Sequence, residues 1–110
     1  MTEVPPIDIR PDLWKIVRDI LSKHVPQYDV WAFGSRVKGA AKSYSDLDLA
    51  IVSDRPLPLR ICAALTNDFS ESDLPWRVDV VDWAATSPEF RTIIEQNKVL
   101  VQSARAGTGA

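Results

Sequence analysis

The sequence predicts an α/β (α+β) fold, a small mixed β-sheet flanked by helices. Three observations predict it. Helical and strand-like hydrophobic periods alternate along the chain, a Gly-Ser turn follows the first strand-like run, and two later runs alternate Asp with apolar residues. At 110 residues, with 45% hydrophobic and 25% charged, the chain suits one domain over 1–110 and has little material for a second site.

The elements follow in order. Pro11 and Asp12 open a segment in which Leu13, Trp14, Ile16, Val17, Ile20, Leu21 and Val25 recur at helical spacing, and Pro26 stops it. His24 falls in its last turn, where a histidine complements the helix dipole. Tyr28 to Phe33 is a β-branched and aromatic run ending at Gly34, and Ser35 begins a short helix whose N–H groups would face an anion. Ser45 to Ser53 is the second strand, closed by Asp54-Arg55-Pro56.

Leu59 to Ser70 places Ile61, Cys62, Leu65 and Phe69 at the spacing of a helix lying across the sheet, and Ser70 to Pro75 reads as a loop. Within this region Asp68, Glu71 and Asp73 are expected to be a solvated acidic run. Arg77 to Trp83 is a third strand, and Ser87-Pro88-Glu89 starts a helix with Phe90, Ile93 and Ile94 on one face. Lys98 to Val101 is a short extended piece, and residues 103–110 are a frayed tail.

Bulk properties narrow the function. A net charge of −2 and a pI near 5.3 provide no basic field for extended nucleic-acid binding. No apolar run reaches membrane-spanning length, and Met1 to Pro6 lacks the pattern of a signal peptide. Cys62 is the sole cysteine, which excludes an internal disulfide and suits a reducing, cytoplasmic setting as a small buried residue. Of four tryptophans, Trp76 and Trp83 bracket the third strand and are the first candidates to anchor a partner, in a homo- or hetero-oligomer.

The chemistry concentrates in two places. Residues i and i+2 of a strand share a face, so Asp46 and Asp48 project together while Leu47, Leu49 and Ile51 enter the core. Adjacent carboxylates repel, and a divalent cation removes that penalty. On the third strand Asp79 and Asp82 face opposite ways. Mid-strand Asp79 is chosen for the cluster, with Asp82 as the fallback or as a cap on the next turn. Two cations about 3.5–4 Å apart would activate a hydroxyl and steady a leaving pyrophosphate.

Gly34-Ser35, ten residues from Arg36 to Ser45, then Asp46-Leu47-Asp48, with Arg77-Val78-Asp79-Val80-Val81 downstream, resembles the minimal nucleotidyltransferase family of the DNA polymerase β superfamily. The resemblance covers nearly the whole chain. It implies the nucleotidyltransferase fold, Mg²⁺ (two ions) held by Asp46, Asp48 and Asp79, and ATP as substrate with Gly34 and Ser35 at its phosphates. It further implies that Asp79 helps to deprotonate the acceptor hydroxyl. Arg36 and Lys38, directly after the turn, are assigned to the β and γ phosphates.

The same resemblance implies a separately encoded HEPN-type helical-bundle partner. Either the chain is an antitoxin that moves AMP from ATP onto a tyrosine of a HEPN ribonuclease toxin, or it is the catalytic subunit of a two-component enzyme acting on a small, aminoglycoside-like molecule. A noncatalytic antitoxin acting by contact alone is the rival from another class.

Overall fold

The structure, a computed structural model, describes residues 5–38 and 45–104. The side chain of Lys38 and residues 39–44 and 105–110 lie outside the described residues, and with them fall the phosphate role expected of Lys38 and most of the expected frayed tail.

In chain order the elements are α1 (Pro11–His24), β1 (Asp29–Phe33), α2 (Ser35–Lys38), β2 (Leu47–Val52), α3 (Leu59–Glu71), β3 (Val78–Asp82), a 3₁₀ turn (Trp83–Ala85), α4 (Pro88–Gln96) and β4 (Val99–Gln102). The strands form one four-stranded sheet ordered β3-β2-β1-β4. β1 pairs antiparallel with both β2 and β4, whereas β2 and β3 run parallel. A parallel pair needs a crossover, and α3 supplies it.

The alternation along the strands sorts side chains to two faces. Val30, Ala32, Leu47, Leu49 and Ile51 meet Trp14, Val17 and Leu21 of α1 and Leu65 and Phe69 of α3 in the main core. The other face carries Phe33 and Ala50 under Ile94 of α4, with Trp31, Val81 and Trp83 packed around them. The short α4 covers that face only in part. Ile94 is fully buried, but Phe90 and Ile93 are 36% and 56% exposed, so the apolar face expected of this helix is buried at one position of three.

Other expectations shift in detail. α3 runs through Glu71, which places Asp68 and Glu71 on the helix and not in a solvated loop. Asp68 accepts a 2.6 Å hydrogen bond from the His24 ring and a 3.4 Å one from Lys23, tying α3 to the end of α1. Cys62 is only half-buried. The sequence offered no signal for the segment before α1, yet Ile7 and Ile9 enter the main core. At the other end the Ala104 N–H donates to Asp29 at 2.6 Å, so the start of the expected tail is tied to β1.

Candidate active site

Strand register builds the site. Phe33 of β1 lies opposite Asp48 of β2, and Asp48 lies opposite Asp79 of β3, so the three side chains form a row across one face of the sheet. The row sits where β1 ends and where β2 and β3 begin. Asp46, one residue before β2, is exposed on the same side by the two-residue alternation. The two aspartates of the acidic strand and Asp79 thereby lie at one corner of the sheet.

Gly34 closes the row from above. It has φ +87, and a Cβ built on it would run into Oδ2 of Asp48. Only glycine satisfies both the left-handed backbone and the close approach of that carboxylate. Ser35 then opens α2, which is a single turn whose Val37 N–H bonds the Gly34 carbonyl at 3.1 Å. One turn carries little macrodipole, so what this segment offers an anion is the backbone of the Gly34-Ser35 turn itself.

The electrostatics mark Asp48. Burial holds its carboxyl above the ordinary range, and the neighbouring charges of Asp79 and then Asp46 push it further the same way. Among the described residues no three His, Cys, Asp or Glu side chains are drawn together tightly enough to enclose an ion. The carboxylates share a corner without closing on one point. Their chemistry fits Mg²⁺, a hard cation that takes a few carboxylate oxygens and fills its shell with water and substrate phosphate.

Asp82 is excluded from the corner by the same register, because its partner is Ile51 on the opposite face. Its Oδ2 accepts from the Leu57 N–H at 2.8 Å and its Oδ1 from the Ala84 N–H at 3.2 Å. It caps the 3₁₀ turn after β3 and braces the loop before α3.

Arg36 departs from the expected phosphate contact. Its side chain is buried, 6% exposed. Nε and Nη2 donate to the Ser45 carbonyl at 3.0 and 2.8 Å, and Nη1 donates to the Asp8 carbonyl at 2.9 Å. The guanidinium stacks 4.4 Å from the centroid of Trp76. A cation so enclosed is a positioning group: it pins the residue preceding Asp46 to the turn that follows Gly34. Burial lowers its pKa, and Asp8 and Asp46 oppose that shift.

Trp76, expected as a partner anchor, is 8% exposed and belongs to the main core. Its ring packs in that core and carries the Arg36 guanidinium. Trp83 stays half-buried, edge-on to Trp31 at 4.9 Å, with Arg91 4.8 Å over its ring.

Sequence reasoning passed over Arg77. Its Nη2 donates to Asp79 Oδ1 at 3.0 Å, placing an exposed cation inside the acidic corner. The available signal was its i, i+2 spacing from Asp79, which puts both on one face of a strand. A cleft of about 550 Å³ lies beside this pair and is lined by Thr66, Phe69, Ser70, Leu74, Trp76 and Val78 among others.

Residues 14–105 match the nucleotidyltransferase domain family. The chain belongs to that family. Within it, this nucleotidyltransferase is 56% identical over 102 residues to the probable protein adenylyltransferase MntA of Haemophilus influenzae, covering 93% of this chain and 90% of that protein. That identity puts it in the minimal branch.

Two solved structures share the nucleotidyltransferase fold at low identity. One is a toxin–antitoxin complex with AMP-PNP (TM-score 0.69, 20% identity, 84% of this chain and 74% of that one). The other is a tri-AMPylated HEPN toxin of Shewanella oneidensis in complex with its MNT antitoxin (TM-score 0.62, 21% identity, 83% of this chain and 70% of that one).

Proposed function

We infer that the chain is a Mg²⁺-dependent nucleotidyltransferase that moves AMP from ATP to a hydroxyl, and that it is the antitoxin modifying a tyrosine of a HEPN-type ribonuclease toxin. The observation that carries the reading is the row in which Asp48 lies between the Gly34 turn and Asp79. A pure binding surface gains nothing from carboxylates whose burial and mutual repulsion raise the pKa of the middle one. The acceptor and partner assignments are supported by the relatives, one named a protein adenylyltransferase and one solved against an AMPylated HEPN toxin.

In this reaction the acceptor oxygen attacks the α-phosphorus, the bond to the β-phosphate oxygen breaks, and pyrophosphate leaves in line. Asp46, Asp48 and Asp79 would hold two Mg²⁺ ions, which supply Lewis acidity at the attacking and leaving oxygens. In this reading the Gly34-Ser35 backbone receives the phosphates, and Asp79, on the edge strand, takes the acceptor proton. Arg36 holds Asp46 in register through the Ser45 carbonyl. Positioning of this kind is most of what phosphoryl chemistry asks of a protein.

Among the described residues no helix is long and apolar enough to cross a membrane. A reducing cytoplasmic compartment suits the lone Cys62.

The test is transfer of label from α-³²P-ATP with Mg²⁺ in the presence of the partner protein. Label on a partner tyrosine that disappears with Asp48→Asn is the expected result. Label on an added aminoglycoside instead would replace the acceptor. Full neutralisation of the toxin by Asp48→Asn without labelling would overturn the enzymatic reading.

A further inference from the structure

We propose that Arg77 is a resident counter-cation of the acidic corner, which yields Asp79 to the divalent cation and then engages the triphosphate of the incoming nucleotide. This deepens the transferase reading above and rests on it.

Three observations place Arg77 for that role. First, the Leu47 N–H donates to the Arg77 carbonyl at 2.9 Å, the bond that opens the parallel β2–β3 ladder. Since Leu47 pairs with Val78 and Asp48 with Asp79, this sets Arg77 beside Asp46. Second, Arg77 and Asp79 lie two apart along the strand and share its face, and their side chains meet at 3.0 Å. Third, the guanidinium is held by little else, with its side chain 77% exposed. Its own pKa is raised by the hydrogen bond and charge of Asp79 and then by the charge of Asp46.

An exposed pair of this kind is weak, worth only a few-fold in an equilibrium. Arg77 therefore offsets the charge of Asp79 and Asp46 without barring a divalent cation, which brings twice the charge to the same oxygens. The contrast with Arg36 is instructive: that guanidinium is buried and donates to the Ser45 and Asp8 carbonyls, whereas Arg77 is long, exposed and permanently charged. Once a cation takes Asp79, the freed fork lies at the edge of the corner where a triphosphate must enter. Arginine pairs bidentately with phosphate, and such charge-assisted bonds are among the stronger ones.

The role predicts opposite changes in two affinities. Arg77→Gln removes the competitor for Asp79, so Mn²⁺ titrated alone and followed by electron paramagnetic resonance binds about two- to five-fold more tightly. The same variant at saturating Mg²⁺ binds α,β-methylene ATP, whose α–β bridge resists transfer, about tenfold more weakly by calorimetry. Arg77→Lys keeps the charge and loses the fork, so it restores wild-type Mn²⁺ affinity but recovers the nucleotide affinity only in part.

A purely structural role would weaken both bindings together, and an idle surface residue would leave both unchanged. Either pattern, in variants whose urea unfolding matches wild type, overturns the proposal. Failure of the wild-type chain itself to take up Mn²⁺ or α,β-methylene ATP would instead overturn the transferase reading.

Discussion

The space that a side chain would occupy at Gly34 is already filled by the carboxylate of Asp48. Gly34 is therefore bound to the site twice, by its positive φ and by this contact. Gly34→Ala is expected to destabilise the fold by about 1–3 kcal/mol, because a left-handed backbone and a clash must both be relieved. It should also abolish nucleotide binding by displacing Asp48. Urea unfolding and calorimetric titration with nucleotide check the two parts separately.

Asp48→Asn should separate stability from activity. The folded-state pKa of Asp48 is raised by burial, then by Asp79 and Asp46. Between the unfolded and folded values the folded chain holds more protons, so stability contributed by this group falls as pH rises through that window. Asparagine removes the charge, and the variant should melt higher than wild type at neutral pH without added cation. Transfer activity should be lost. Mg²⁺ should raise the melting temperature of wild type and leave that of the variant nearly unchanged, because the binding free energy adds only where the ligands are intact.

Arg36→Ala removes a buried cation and leaves the Ser45 and Asp8 carbonyls without those donors. A loss of about 2–4 kcal/mol in unfolding free energy is expected. Arg36→Lys should recover little of it, since one ammonium cannot reproduce the fork on Ser45 together with the planar stack on Trp76. Both variants should lower kcat, because the residue before Asp46 is no longer pinned.

The pairing of Asp68 with His24 and Lys23 has a pH signature. The His24 hydrogen bond holds the Asp68 carboxyl below its ordinary range; burial opposes it, and Lys23 adds a weaker lowering. Its stabilising contribution is complete above the unfolded Asp value and is lost as pH falls through the lowered folded value. Asp68→Asn should therefore weaken the protein at neutral pH and approach wild-type stability in strong acid. Urea midpoints measured across that range give the comparison.

Local sequence determined much of this. Alternation in Asp46-Leu47-Asp48-Leu49 and Arg77-Val78-Asp79-Val80 is a two-residue period, and a strand has no freedom to place such carboxylates anywhere but on one face. The same parity separated Asp79 from Asp82, and Gly34 announced its turn through its own chemistry. Helix boundaries followed from Pro11, Pro26 and Ser87-Pro88 because caps and prolines act within a few residues.

Tertiary structure decided what depends on partners distant in the chain. The parallel pairing of β2 with β3 set Asp79 opposite Asp48, and no local signal carries that register. Arg36 looked like a phosphate ligand beside the turn, yet Asp8, Ser45 and Trp76 enclose it, and Trp76 looked like a free anchor for the same reason. A residue's period reports its face, which the backbone dictates locally. Whether a cation on that face meets solvent, a carbonyl or a ring is decided only when segments many residues apart pack together.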